Sequence, residues 1–181
     1  SYAGDIGLFQ NWEILLDAAE ELDRLNDDIK FVIIGNGSYK ANLEKSIRKR
    51  KLRNTFVFPL QPVELVASAY SLGDLEIVSL EKGMTRIALP SKIGQILAAG
   101  SPILGMFDSD SHISNETRDC NIGVVVDSFR KESLVELILH YYNNKHELKD
   151  MANNARRYAE KELERKTQTK KYNDTLLSMM V

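Results

Sequence analysis

Short β-type apolar runs alternate with helical runs along most of the 181-residue chain, and that alternation leaves few folds open. Stacked βαβ units around a parallel sheet satisfy it. The run Phe31-Val32-Ile33-Ile34 has no polar interruption, as expected of a strand covered on both faces. The other strands are expected near Tyr2-Ala3, at Thr55-Phe56-Val57-Phe58, at Leu75 to Ser79, at Pro102 to Met106 and at Gly123 to Val126. Between them, helical spacing predicts helices over Phe9 to Leu25, from Ser38 to near Leu52, over Val63 to Ser71, from Pro90-Ser91 to Gly100, and over Ser111 to Asp119. The first of these carries Trp12, Leu15, Leu16, Ala19, Leu22 and Leu25 on one face. The last third is helical, with stripes at Leu134, Leu137, Ile138 and Tyr141 and at Leu148, Met151, Ala152, Ala155, Tyr158, Ala159 and Leu163. A final stripe combines Tyr172, Leu176 and Met179 or Met180, and all such stripes read as core. The expected fold is an α/β, doubly wound parallel sheet of about six strands with helices on both faces and a C-terminal helical tail. No linker or repeat divides it, so residues 1–181 are expected to form one domain.

Composition narrows the function classes. Hydrophobic residues make up 43% of the chain and charged residues 28%, which is the balance of a globular protein. A net charge of -2 offers no general attraction to nucleic acid or anionic membrane. The one basic cluster, Lys45, Arg48, Lys49, Arg50, Lys51 and Arg53, falls at the end of a helix and reads as a solvated face. Apolar runs are too short to span a bilayer. The opening Ser1-Tyr2-Ala3-Gly4-Asp5 has neither a basic start nor an apolar stretch, so no secretory leader is expected in it. Without an initiator Met, the chain is expected to be part of something longer. Cys120 is the only cysteine, which fits a reducing cytoplasm.

Doubly wound sheets bind ligands beyond the carboxyl ends of their strands. The segments placed there are Gly4 to Gly7, Gly35 to Ser38, Phe58 to Gln61, Leu80 to Lys92 and Phe107 to Ser111. Glycines at Gly4 and Gly7 let backbone N–H groups approach an anion, and a tight turn explains them equally well. Pro90-Ser91-Lys92 opens a helix, where free N–H groups, a hydroxyl and an ammonium converge on the place of a diphosphate. A Ser cap beside a solvent-facing Lys is the plainer alternative. Gln95, one turn on, offers an amide to ribose hydroxyls. Asp108-Ser109-Asp110 has the form of a metal-binding triplet but also of ordinary helix-start residues, and the latter is favoured. His112, His140 and His146 lack ligand spacing.

Read together, these segments resemble the C-terminal domain of group 1 (family 4) glycosyltransferases. The likeness runs through Tyr2-Ala3-Gly4-Asp5-Ile6-Gly7 with Asn11 and Leu15 to Ala19, through Phe31 to Gly37, and through Ala69-Tyr70-Ser71-Leu72-Gly73-Asp74. It continues in Leu89-Pro90-Ser91-Lys92, Leu97 to Ile103, Asn121 to Val126 and Arg156-Arg157-Tyr158-Ala159. The resemblance implies one half of a two-domain GT-B enzyme with facing Rossmann-like domains. This half would hold a nucleotide-diphosphate sugar, and a separate N-terminal domain would hold a glycan or lipid-linked acceptor. It implies that Gly4 and Gly7 face the diphosphate and sugar. Gly35, Asn36, Gly37 and Leu60 would approach the base, Pro90, Ser91 and Lys92 the phosphates, and Gln95 the ribose. Two departures stand out. The usual Glu, seven residues, Glu motif is here Ile87 and Gln95, with Glu81 or Arg86 as possible stand-ins. Gln10-Asn11 also stands near where many relatives place a phosphate-binding Lys.

The resulting expectation is a hexosyltransferase that retains anomeric configuration and needs no metal cofactor. Relatives with the Pro-Ser-Lys variant often serve bacterial surface-polysaccharide synthesis, such as capsule or lipopolysaccharide. Its partners would be its own N-terminal domain, the nucleotide sugar and the acceptor, with no nucleic acid. It would work in the cytoplasm, with peripheral association at the inner membrane face. The fragment alone is expected to be inactive. The alternatives are a degenerate non-catalytic transferase domain, a nucleotide-sugar epimerase of the same fold, and a receiver-like regulatory module. The last lacks an Asp where Phe58-Pro59 stands.

Overall fold

A computed structural model describes residues 1–86, 90–126 and 130–179. Its strands are β1 (Tyr2–Asp5), β2 (Phe31–Asn36), β3 (Thr55–Phe58), β4 (Glu76–Ser79), β5 (Ile103–Met106) and β6 (Gly123–Val126). Its helices are α1 (Trp12–Leu25), α2 (Lys40–Arg50), α3 (Val66–Tyr70), α4 (Ile93–Ala98), α5 (His112–Asp119), α6 (Lys131–Asn143), α7 (Lys145–Tyr158) and α8 (Arg165–Ser178). Short 3-10 turns at Val63–Leu65 and Met84–Arg86 and a π-helical segment at Ala159–Leu163 complete the path.

All strand pairs are parallel, in two three-stranded sheets of order β1-β2-β3 and β4-β5-β6. Neighbouring residues on one strand feed opposite faces, because side chains alternate across a pleated strand. Ile33, Ile77 and Leu104 join one core with Trp12, Leu22 and Leu134. Ile34, Val78 and Ile103 join the other with Ile93, Ile96 and Ile113. Helices therefore flank both faces, as the sequence predicts.

The expected single sheet is divided at β1 and β4. At the amino end the two strands still touch: the Ser1 amino group donates to the Leu75 carbonyl at 2.6 Å, and Ile77 N donates to the Ser1 carbonyl at 2.6 Å. Beyond that, side chains replace the ladder. This is also where the strand order reverses, the place at which open α/β sheets bind ligands.

Several boundaries differ from expectation. Gly4 and Asp5 belong to β1 and pair with Gly35 and Asn36 of β2, so Gly35-Asn36 does not break the strand. A side-chain carbon at Gly35 would stand 1.9 Å from the Gly4 carbonyl oxygen, and one at Gly37 2.4 Å from that of Ile6. Close backbone packing thus requires both glycines. Helix α1 begins at Trp12 because Asn11 turns left-handed at φ 49°. Helix α4 begins at Ile93; Pro90 to Lys92 form a turn closed by Ile93 N on the Pro90 carbonyl at 3.2 Å. The tail is helical, but α8 buries no residue. Its stripe of Tyr172, Leu176 and Met179 is exposed rather than core, since the helix packs mainly on the π-helical segment; Met180 lies outside the described residues.

Candidate functional site

The split between β1 and β4 is filled by the side chains of Glu76 and Lys92. Glu76 opens β4 and is fully enclosed. Its carboxylate accepts from Ala3 N at 2.6 Å and from the Ser1 hydroxyl at 2.5 Å. Lys92, the residue before α4, sends its ammonium between the strands. It donates to the Ile77 carbonyl at 3.1 Å and the Ala3 carbonyl at 3.3 Å and sits 3.6 Å from the centre of the Tyr2 ring. Burial lowers the Lys92 pKa to about 8, and the negative charge of Glu76 opposes that shift. Burial raises the Glu76 pKa against the pull of the amino terminus and Lys92.

The loops above the split are tied to one another. The Ser79 hydroxyl donates to the Gln10 carbonyl at 2.7 Å, and the Asn11 amide to the Leu80 carbonyl at 2.5 Å. Glu81 N donates to the Phe9 carbonyl at 3.0 Å, and Leu80 N to that of Met106 at 2.9 Å. Across the loop, both Asp108 oxygens accept from Gly83 N at 2.9 Å, and one accepts from the Thr85 hydroxyl at 2.5 Å. The loops after β1, β4 and β5 thus form one connected rim, with Lys92 beneath it. A cavity of about 260 Å³ lies at the opposite end of the sheets, lined by Asp28, Phe31, Leu75, Tyr141, Tyr142 and Leu148 among others; it is remote from these strand ends.

The model of the family "Glycosyl transferases group 1" matches residues 2–158. The chain belongs to the group 1 glycosyl transferases. Over 100 residues, the chain is 41% identical to the protein provisionally named colanic acid biosynthesis glycosyl transferase WcaI of Escherichia coli K12, covering 55% of this chain and 24% of that one. The crystallised C-terminal domain of the group 1 glycosyl transferase LpcC from Francisella tularensis matches with a TM-score of 0.71 and 13% identity, over 91% of this chain and 86% of that one. Anabaena HepE in complex with UDP matches with a TM-score of 0.74 and 16% identity, over 98% of this chain and 48% of that one. These two show the shared fold. The chain spans 24%, 30% and 39% of the lengths of the three curated relatives.

The structure gathers some of the expected site residues and disperses others. A side-chain carbon on Gly4 would stand 3.6 Å from Lys92 Nζ, so those two meet at the split. Gly7 lies in the rim, its carbonyl bonded by Trp12 Nε1 at 2.8 Å. Asn36 ends β2, and its carbonyl accepts from Ile6 N at 2.8 Å. Leu60 stands past the end of β3 and is 68% exposed. Pro90 and Ser91 form the turn before α4, with Ser91 exposed. Gln95 is exposed on α4, where Oε1 accepts from the Tyr70 hydroxyl at 3.2 Å. Arg86 closes the 3-10 turn of the rim, whereas its side chain, Ile87 and Leu89 lie outside what the structure describes.

Other sequence features find plain structural roles. Asp108 fastens the rim loop, and among the described residues no metal-binding group of three side chains occurs. The arginines of the basic cluster are laced to acidic residues. Arg50 meets Glu13 at 2.6 Å, Glu20 at 3.4 Å and Asp17, while Arg53 meets Asp23 at 3.2 Å and Asp27 at 3.5 Å. Sequence reasoning missed Glu76, Tyr70 and the acceptor role of Asp108. Each acts on a residue distant in sequence, and periodicity carries no sign of that.

Proposed function

We propose that this domain binds a nucleotide-diphosphate sugar across the carboxyl ends of its strands, at the split between β1 and β4. Within the full enzyme it would present the sugar to a glycan or lipid-linked acceptor held by a separate N-terminal domain. The observation that carries this reading is the meeting of Gly4 and Lys92 where the strand order reverses. There a cationic side chain lies beneath a rim of loops, in a chain of the group 1 family. The fold shared with HepE, a protein crystallised with UDP, supports a nucleotide ligand.

The roles proposed for the sequence-derived residues follow from their places. Gly4 and Gly7 flank the diphosphate and sugar. Pro90, Ser91 and Lys92 lie toward the phosphates, Lys92 acting mainly through its charge because two backbone carbonyls already take two of its three protons. Gln95 faces the ribose, with Gly35, Asn36, Gly37 and Leu60 toward the base and Arg86 at the rim. No metal step is proposed, since the Asp108 carboxylate is committed to Gly83 and Thr85. Among the described residues no helix is long and apolar enough to cross a membrane. The proposed setting is the inner face of the bacterial membrane, in surface-polysaccharide synthesis, a reading the WcaI relative supports. Calorimetry with UDP, GDP and ADP tests the donor site. Weak binding of one of them is expected, and no binding of any at millimolar concentration overturns it.

A further inference from the structure

Helix α4 carries Gln95 one turn after Ser91, with its side chain exposed. Among the described residues, the one hydrogen bond to that side chain comes from Tyr70, the last residue of α3, whose hydroxyl donates to Gln95 Oε1 at 3.2 Å. Tyr70 is itself fixed. It is buried in the core with Ala3, Ile34, Ile93 and Leu97, and its carbonyl accepts from the buried Ser101 hydroxyl at 2.5 Å. Burial, and after it the nearby Glu76 carboxylate, raises the Tyr70 pKa, so the hydroxyl keeps its proton at neutral pH. An amide has two unlike halves, and this bond decides which one faces outward. The carbonyl is turned to Tyr70 and the core, which leaves Nε2 and its two protons on the exposed side. Among the described residues nothing accepts them.

That orientation has a chemical consequence. A carboxylate at this position only accepts hydrogen bonds, whereas Gln95 held by Tyr70 offers donors. An untethered amide on an exposed side chain presents either half, and ordering it on binding costs affinity. Resting on the donor-site reading above, in which Gln95 faces the ribose, we propose that Tyr70 is a positioning residue: its hydroxyl fixes the Gln95 amide so that Nε2 donates to a ribose hydroxyl oxygen. Tyr70 acts only through Gln95, and the ribose is read as an acceptor of hydrogen bonds.

Calorimetry reads the effect directly. The probes are UDP, GDP and ADP, and the 2′-deoxy and 3′-deoxy forms of whichever binds, titrated into the wild-type chain, Tyr70→Phe, Gln95→Ala and the double variant. The wild type is expected to favour the ribonucleotide over one deoxy form about fivefold, the worth of one hydrogen bond. Gln95→Ala should abolish that preference. Tyr70→Phe should cut it to about twofold or less, leave the deoxy form bound within about twofold, and change nothing further in the Gln95→Ala background. A second measurement needs no Tyr70 variant. In NMR spectra of the isotope-labelled wild type, the Gln95 side-chain amide protons, assigned by their absence from Gln95→Ala, should shift with the ribonucleotide and not with that deoxy form. Signals indifferent to the ribose hydroxyl overturn the inference, even where Tyr70→Phe disturbs folding. So do equal losses for both forms in Tyr70→Phe, a loss that persists in the Gln95→Ala background, or a wild type that binds ribose and deoxy forms alike. In these cases nucleotide still binds and the donor-site reading stands. A wild-type chain that binds no nucleotide overturns both.

Discussion

Lys92 carries a charge into a place that the sheet cannot close for itself. Its ammonium serves the Ala3 and Ile77 carbonyls and shields Glu76. Lys92→Met orphans both carbonyls and removes a favourable charge near the Glu76 carboxylate, so we expect a loss of about 2 kcal/mol at neutral pH, measured by denaturant unfolding. The pH dependence has a definite sign. The folded pKa of about 8 lies below the unfolded value of 10.5, so between these limits the unfolded chain holds more protons. Through this group, stability rises with pH across that window, and the full cost of burying the charge applies below it. The advantage of wild type over Lys92→Met should therefore widen between pH 8 and pH 10; a constant or shrinking gap would contradict the burial of the charge. Gly35 shows the limit of reading at this scale. A glycine that lets a phosphate approach and one that lets the Gly4 carbonyl approach look the same in a sequence, and only the 1.9 Å contact separates them.

Helix and strand identities were legible because burial imposes periods of 3.6 and 2 on apolar residues. Their ends were less so. Asn11 ends the approach to α1 by adopting φ 49°, a conformation that a polar residue adopts for local reasons and periodicity does not register. The final helix misled in a different way. Its Tyr172, Leu176 and Met179 stripe has the spacing of a buried face, but α8 buries nothing within this chain. Spacing shows that a face is apolar; it does not say what covers it. Removing the segment after Glu164 is accordingly expected to cost at most about 1 kcal/mol, read as a thermal shift of a few degrees. A large drop would mean that α8 supports the core.

For the molecule as a whole, the parallel α/β plan and its six strands followed from alternation alone. The division into two sheets did not, because Glu76 and Lys92, which bond across it, stand sixteen residues apart in sequence. The rim over the split was legible as a set of loops but not as a connected one, since Asp108 reaches back to Gly83 and Thr85. A boundary bridged by one lysine and one carboxylate, between ladders that are otherwise complete, ranks the order in which the backbone lets in solvent. Amide deuterium uptake should reach Ala3 and Ile77 well before the central strands β2 and β5, and a sugar nucleotide seated across the boundary should slow it there first.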